Sequence, residues 1–438
     1  MYKIGIYEKE ITPFLGVSHG GYFTPRYNSG VKDKTYAKAA VIECSGEILA
    51  MLTVDSCMLT DSLIDGIYKR IASYIDLKRE NFLASATHSH TSGPIGGYEE
   101  RDIDRFFIKM VEYIAADAVV LAYQKRVDGK IKYTRGFAPG IAFIRNFVLK
   151  DGRSRTNPGR LNPNIKEPIG NADESVPVLL FESASGKKLG LLYSFGCHQD
   201  CIGGSEASGD FSSEVASLMK DKYGKDFIAA YFYGPAGNVN DVDINVPDPD
   251  LNTYYRDMGK VIFDGIEKAI TEARELKFDS FSVANGEMIF ERRIPSAEEL
   301  LAFKKTYESV ELPEGVDLEA SAPKEIFDAC MARRAYDYAK ESTKYHKYAL
   351  QVMKLDNVLV FALPGEVFTQ YTEKIKKEFE GYECFFACLA NNEWTYMPAP
   401  ECYLPELYES LYGSAKLHAD DVVKLFDEII KLGKTLIS

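Results

Sequence analysis

The stretch from Phe82 to Pro94, which reads FLASATHSHTSGP, decides the fold because an apolar run passes directly into a polar segment. The apolar run Phe82–Ala86 has the length and composition of a buried strand. His88 and His90 follow it two residues apart, so an extended backbone would place both side chains on the same side. The segment therefore predicts a strand whose carboxyl end carries functional side chains.

Four further apolar runs end in polar or glycine-rich segments. They are Leu189–Phe195 before Gly196–Asp200, Phe227–Tyr233 before Gly234–Asn238, Val358–Leu363 before Pro364–Glu366, and Cys384–Ala390 before Asn391–Tyr396. In α/β sheets, ligands bind outside the carboxyl ends of the strands. The sequence therefore predicts one site assembled from five strand ends.

Apolar runs alternate with helical periodicity along the chain, which predicts an α/β fold with mixed β-sheets flanked by helices. The predicted strands are Lys3–Tyr7, Ala39–Cys44, Ile48–Val54, Phe82–Ala86, Val176–Phe181, Leu189–Phe195, Phe227–Phe232, Val358–Leu363 and Cys384–Leu389. The predicted helices are Ser62–Tyr74, Arg101–Tyr123, Ser212–Lys222, Leu251–Ala273, Lys324–Tyr345, Phe368–Phe379 and Ala419–Leu436. Residues 136–173 are predicted to form a loop, and residues 295–347 a helical insertion. One domain over residues 1–438 is favoured over two.

The composition narrows the class of protein. Lys and Arg number 52 and Asp and Glu number 65 in 438 residues, so the net charge of −13 argues against nucleic acid or an anionic membrane as the main partner. No run approaches the ~18 apolar residues of a spanning helix, and no secretory signal is visible. The eight cysteines contain no CxxC pair and are expected to be free thiols. We therefore expect a cytoplasmic protein of enzyme size with no integral membrane segment; the oligomeric state is left open.

Metal ligation is one interpretation of the histidines. The chain has only six, and His88, His90 and His198 all lie in the predicted site. Neutral imidazole is the commonest metal ligand, and His88, His198 and Glu366 would form a His₂Glu set of the kind that binds catalytic zinc. The alternative is that each histidine is a hydrogen-bonded structural group at a strand end, since no HExxH motif is present.

Two glycine-containing segments also allow two interpretations. Asp210 precedes a predicted helix and could belong to a polar site, although an aspartate there more often caps the helix. The segment containing Gly237 and Asn238 could present backbone N–H groups to a substrate oxyanion, but an ordinary strand-to-helix turn also needs glycine.

Taken together, these segments resemble the catalytic domain of the neutral/alkaline (non-lysosomal) ceramidase family. Members of that family are zinc amidases that cleave the N-acyl bond of ceramide. The matching motifs, which follow the family order and span most of the chain, are Thr87–Pro94, His198 followed by Ser208–Phe211, Pro364–Phe368, and Tyr396–Gly413.

The resemblance implies roles for seven residues. Zn²⁺ would be bound by His88, His198, Glu366 and Tyr396, His90 would act as general acid/base, Arg145 would contact substrate, and Tyr408 would face it. Ile144 stands where the family has asparagine, and the serine of a family loop motif is absent from Gly237–Asp241, which excludes a serine nucleophile there. The implied reaction is hydrolysis of an amide by metal-activated water.

Two departures from the family bear on the substrate. The chain ends about 25 residues after Gly413, so we expect no C-terminal immunoglobulin-like domain, and no secretion signal is seen. Together with the acidic net charge, these departures favour a smaller or more polar N-acyl substrate over a membrane lipid.

Two alternative functions remain open. One is a zinc-dependent ester or cyclic-amide hydrolase, and the other is a non-catalytic ligand-binding homologue. The alternative for Tyr396 is an aromatic wall residue.

Overall fold

The computed structural model describes residues 2–22, 26–93, 101–247, 249–250, 252–311, 324–391 and 394–438. These residues form eight α-helices and twenty-four strands. The helices are α1 (Asp61–Ala72), α2 (Asp102–Gln124), α3 (Phe211–Tyr223), α4 (Tyr254–Ile270), α5 (Ala297–Glu308), α6 (Lys324–Lys340), α7 (Thr369–Glu378) and α8 (Ala419–Thr435). The strands are β1 (Tyr2–Glu10), β2 (Ser18–His19), β3 (Arg26–Tyr27), β4 (Gly30–Val31), β5 (Tyr36–Cys44), β6 (Glu47–Val54), β7 (Phe82–Ala86), β8 (Val127–Phe137), β9 (Phe143–Ile144), β10 (Asn146–Leu149), β11 (Ser154–Thr156), β12 (Ile165–Pro168), β13 (Ser175–Ser183), β14 (Lys188–Phe195), β15 (Glu206–Ala207), β16 (Ile228–Tyr233), β17 (Val239–Asn240), β18 (Arg274–Glu275), β19 (Ser282–Glu291), β20 (Tyr345–Leu355), β21 (Val358–Ala362), β22 (Glu366–Val367), β23 (Glu383–Ala387) and β24 (Tyr396–Met397).

The main sheet has nine strands in the order β16-β14-β13-β8-β1-β5-β6-β7, with β18 paired to β8. Its two edges are parallel pairs, β14 with β16 and β6 with β7, and the strands between them are antiparallel. The edge strands approach each other. Thr53 Oγ1 of β6 donates to the Tyr231 carbonyl of β16 over 2.7 Å, and Lys38 Nζ of β5 donates to the Ala229 carbonyl over 3.1 Å. The segments that follow β7 and β16 are therefore brought together.

A second sheet, β19-β20-β21-β23, packs on one face of the main sheet, and helices cover the outer faces. Side chains on β21 point alternately to the two faces of the second sheet, and both faces are buried. Val358 and Val360 join the core between the two sheets, while Leu359 and Phe361 face the core beneath α7 and α8. Helices α2, α3 and α4 pack on the other face of the main sheet. The result is a four-layer arrangement of helices, sheet, sheet and helices.

The predicted α/β class with mixed sheets is confirmed, and each predicted strand and helix has a counterpart, with identical ends for Phe82–Ala86 and ends shifted by one or more residues for the others. Three predictions needed correction. The predicted helix 324–345 ends at Lys340 because β20 begins at Tyr345 and pairs with β19. Residues 136–173 are more than a loop, since they contain the small sheet β11-β10-β12. Strand β8 was missed because charged residues interrupt its apolar positions, of which Ile131 and Tyr133 are in the core.

The remaining structural predictions concern the insertion, the cysteines and the membrane. Within residues 295–347 the structure has α5 and α6, which pack against each other; residues 312–323 lie outside the described part, as does the predicted helix start at Leu251. All eight cysteines are buried and free, as predicted. Among the described helices, none combines the length and the apolar character needed to cross a bilayer.

Candidate active site

The structure brings together the three residues of the predicted His₂Glu set. Glu366 Oε2 lies 3.2 Å from His88 Nε2 and 3.0 Å from His198 Nε2, and all three side chains are about 1% exposed. His88 follows β7, His198 follows β14, and Glu366 begins β22 just after β21. The site thus lies beyond the carboxyl ends of these strands, as predicted.

Backbone carbonyls fix the orientation of both imidazoles. His88 Nδ1 lies 2.8 Å from the Cys57 carbonyl, and His198 Nδ1 lies 2.9 Å from the Val239 carbonyl. A carbonyl oxygen can only accept, so each Nδ1 carries a hydrogen and each Nε2 is the ring nitrogen directed toward Glu366. Two imidazole nitrogens and a carboxylate oxygen that converge in this way form a donor set that could hold a metal ion.

The three groups also shift one another's pKa values. Burial would raise the pKa of Glu366, but His88 and His198 outweigh it and hold the pKa well below its usual range. Burial would likewise lower the pKa of His88, but Glu366 outweighs it and raises the pKa well above the usual value. Burial, with the neighbouring Arg145, lowers the pKa of His198 to about 4. The carboxylate is therefore ionised and His198 is a neutral donor.

Tyr396 lies directly beside Glu366. Strands β22 and β24 are parallel, and Glu366 pairs with Tyr396 in their register. The Tyr396 side chain is buried, and the Arg145 guanidinium carbon lies 5.4 Å from its ring centroid. On the other side of the carboxylate, Trp394 Nε1 donates to Glu366 Oε1. Tyr396 therefore lies next to Glu366 through the pairing of their strands, and its role as a fourth ligand stays a prediction.

Backbone conformations that are rare for ordinary residues occur around the site. His88 has φ 66° and Asn391 has φ 60°, both in the left-handed region, and Gly365 has φ 69°. An added Cβ at Gly365 would lie 2.2 Å from the Thr395 carbonyl oxygen. Such conformations cost free energy and are retained where surrounding contacts enforce them, which is common at active sites.

His90 lies next to the predicted ligands and contacts a carboxylate. Its Nε2 is 3.2 Å from His88 Nε2, and its Nδ1 is 3.5 Å from Asp200 Oδ2. Tyr22 donates its hydroxyl to the other oxygen of Asp200. Burial, together with the charge of His88, lowers the pKa of His90 well below its usual value. Pro94, the last residue of this motif, lies outside the described residues.

The Arg145 side chain also contacts the predicted metal ligands. Its Nη1 lies 3.3 Å from His198 Nε2, and its Nη2 donates to the Gly237 carbonyl over 2.8 Å. Its Nε forms an ion pair with Glu409 Oε1 at 2.6 Å, with both side chains buried. Glu409 is in turn held by Asn146. The guanidinium is therefore fixed beside the predicted metal ligands.

Tyr408 joins this group through aromatic contacts. Its ring lies edge-on to that of Tyr396, with centroids 5.4 Å apart, and its hydroxyl accepts from Arg334 Nη1 of α6 over 2.7 Å.

The Gly237 N–H and the Asn238 side chain form hydrogen bonds within the protein. The Gly237 N–H donates to the Val367 carbonyl over 2.9 Å, and Asn238 Oδ1 accepts from the Thr369 N–H over 3.0 Å. These contacts hold the start of α7. The structure therefore does not direct the Gly237 N–H or the Asn238 side chain toward substrate, and their oxyanion role stays a prediction.

Asp210 does cap α3, because its carboxylate accepts from the Phe211 N–H over 2.6 Å. The capping interpretation of this aspartate is therefore confirmed.

Sequence reasoning missed several residues of the site. Trp394 and Asp200 lie in the predicted segments and could have been found, because one is the only tryptophan and the other follows His198 by two residues. Cys57 and Glu409 contact the site through distant parts of the chain, and the sequence carried no sign of either contact.

Comparison with known proteins identifies the fold. No protein-family model matches the sequence, and no curated protein matches it. Among solved structures, the neutral ceramidase from Pseudomonas aeruginosa is similar with a TM-score of 0.74 and 18% identity, over 98% of this chain and 74% of that one. A ceramidase complexed with C2 is similar with a TM-score of 0.76 and 17% identity, over 99% of this chain and 76% of that one. The chain therefore has the neutral ceramidase fold, and the resemblance inferred from its motifs is confirmed for the fold.

Proposed function

We propose that the protein is a hydrolase of carbon–nitrogen bonds, a zinc-dependent amidohydrolase that cleaves a ceramide-like or smaller N-acyl substrate. The observation that supports it most is the convergence of His88 Nε2, His198 Nε2 and Glu366 Oε2 within a ceramidase fold. In this proposal residues 1–438 act as one catalytic domain. The cytoplasmic location stays a prediction.

The residues that would hold Zn²⁺ are His88, His198, Glu366 and Tyr396. A bound zinc ion lowers the pKa of a water molecule toward about 7 and polarises a carbonyl group. Tyrosine has a reference pKa of about 10, and a dication bound beside it would favour its phenolate form. Trp394 holds the second oxygen of Glu366 and leaves Oε2 directed at the histidines.

The chain's own groups account for charge and proton movement. Arg145 stabilises negative charge that develops on the acyl oxygen, and Glu409 holds it in place beforehand, so little reorganisation is needed. His90, held by Asp200, carries a proton at a ring nitrogen to the leaving amine. Water supplies a hydroxyl to the acyl carbon and a proton to the nitrogen as the C–N bond breaks. The products are a carboxylic acid and an amine.

The test combines metal analysis with an assay on purified protein. We expect stoichiometric zinc and hydrolysis of N-acyl amines that a chelator stops and added zinc restores. His198→Ala should lose both the metal and the activity. His418→Ala is the matched control, because this exposed histidine lies at the start of α8, away from the site.

Two results would count against the proposal. Protein that binds no divalent metal, or a His198→Ala variant that remains active, would overturn the zinc mechanism. Turnover of esters without turnover of amides would overturn the assignment of the bond. Ceramide and shorter N-acyl amines are assayed side by side to define the substrate.

A further inference from the structure

A cavity of about 440 Å³ lies between helices α5 and α6 and the strands β10 and β11. One side carries the apolar residues Phe303, Phe327, Met331, Ala332 and Ala335, here called the α5–α6 wall, and Thr306, Lys324 and Asp328 of the same helices lie beside them. The opposite side includes Arg153, Arg155, Thr156 and Asn157. A cavity lined by both apolar and polar groups suits an amphiphilic ligand.

The cavity adjoins the candidate active site at Arg145 and Tyr408, which both line it. Arg145 Nη1 is 3.3 Å from His198 Nε2, and the Tyr408 ring is 5.4 Å from the Tyr396 ring. A ligand in the cavity can therefore place one end against Arg145 and Tyr408, which contact the predicted metal ligands His198 and Tyr396.

The α5–α6 wall combines bulky and small side chains. Ala332 and Ala335 lie three residues apart on α6, so they share a face of the helix, and both line the cavity. Because alanine leaves room that a larger side chain would occupy, these two positions determine how much apolar volume is free. Phe327 and Met331, on the same helix, take up part of the remaining space.

We propose that the α5–α6 wall binds the acyl chain of a single-tailed N-acyl substrate, and that Ala332 and Ala335 set the chain length accepted. This inference rests on the proposed function for the reaction itself. A volume of about 440 Å³ is at the lower end of the ~300–1,000 Å³ of small-molecule sites. This volume accommodates one acyl chain of moderate length.

The experiment compares amides of one amine with acetyl, hexanoyl, dodecanoyl and hexadecanoyl groups. We expect the wild type to prefer a chain of intermediate length. Ala332→Phe should shift the preference to shorter chains and lower kcat/KM for the dodecanoyl amide by about tenfold or more. A loss of this size is expected when one to two methylene groups of the acyl chain are no longer buried. Phe327→Ala should extend the preference to longer chains, a gain that a misfolded protein cannot produce.

A matched control lies on the same helix. Ala339 is half-exposed and does not line the cavity, so Ala339→Phe should leave the chain-length profile unchanged. An unaltered profile in both Ala332→Phe and Phe327→Ala would overturn the proposal while leaving the amidohydrolase assignment intact.

Binding of dodecanoate, a product acid, gives a readout that does not depend on turnover. Calorimetry should show binding to the wild type and to Ala339→Phe, and at least tenfold weaker binding to Ala332→Phe. If no amide is hydrolysed but this pattern is found, the proposed function fails and the acyl-chain site stands. Equal binding to all three proteins would overturn the acyl-chain site.

Discussion

The guanidinium of Arg145 and the carboxylate of Glu409 form an ion pair with Nε and Oε1 2.6 Å apart, and neither side chain reaches solvent. Glu409 also accepts from Asn146 Nδ2 over 2.9 Å and from Thr156 Oγ1 over 2.7 Å. The pair anchors the guanidinium that contacts His198. The position of the Arg145 guanidinium thus depends on Glu409, a residue in the last part of the chain.

Replacing Glu409 tests this dependence. Glu409→Gln leaves the buried Arg145 charge without its counter-ion, so the free energy of unfolding should fall by about 3 kcal/mol. Turnover should fall by up to about a hundredfold, because small displacements of a charge-stabilising group are costly. Urea denaturation and steady-state kinetics measure the two effects. Glu401→Gln is the control, since Glu401 is exposed in the same part of the chain and does not line the cavity; equal effects in both variants would contradict the anchoring role.

Tyr396 is either a metal ligand or an aromatic wall, and Tyr396→Phe separates the two. The variant keeps the ring and removes the hydroxyl, so zinc affinity should fall by at least about tenfold if the oxygen binds metal. Trp394 is the only tryptophan and donates to Glu366, so its fluorescence reports zinc binding directly.

Tyr408→Phe provides the comparison. Its hydroxyl contacts Arg334, and its ring packs against Tyr396, so this variant should keep its zinc affinity and lose turnover. Unchanged zinc affinity in Tyr396→Phe would make that residue a wall of the site.

Much of the candidate site could be predicted because the residues proposed to bind metal follow buried strands. His88, His198 and Glu366 each come directly after a run of apolar residues, and the carboxyl ends of such strands converge in α/β folds. The contacts of Cys57 and Glu409 could not be predicted, because they depend on how distant segments pack. The same applies to β20, where pairing with β19 overrides the helical pattern that continues from α6.

Asp200 is predicted to position His90 without binding the metal. Asp200→Asn removes the charge that faces His90 Nδ1, so kcat should fall by up to about a hundredfold while zinc content and KM change little. Kinetics and metal analysis on the same preparation measure both. The exposed Asp226→Asn serves as control. Loss of zinc in Asp200→Asn would assign this residue to the metal site instead.

The stability of the protein should depend on pH through Asp210. Burial raises the pKa of this carboxyl from 3.8 to about 7, although the Phe211 N–H donates to it. Between pH about 4 and about 7 the folded protein therefore holds a proton that the unfolded chain has released. The free energy of unfolding must then fall as pH rises through this window and become constant above it. At 1.36 kcal/mol per pKa unit the fall is about 4 kcal/mol.

Asp210→Asn removes the titrating group, so its unfolding free energy should lack this fall between pH about 4 and about 7, as measured by urea denaturation across the range. The asparagine keeps an oxygen that can accept from the Phe211 N–H, which retains the cap of α3. Asp226→Asn, a substitution at the surface, should preserve the wild-type profile. If the Asp210→Asn curve runs parallel to that of the wild type, Asp210 is ionised in the fold throughout this range, and the three N–H groups that donate to its carboxylate outweigh its burial.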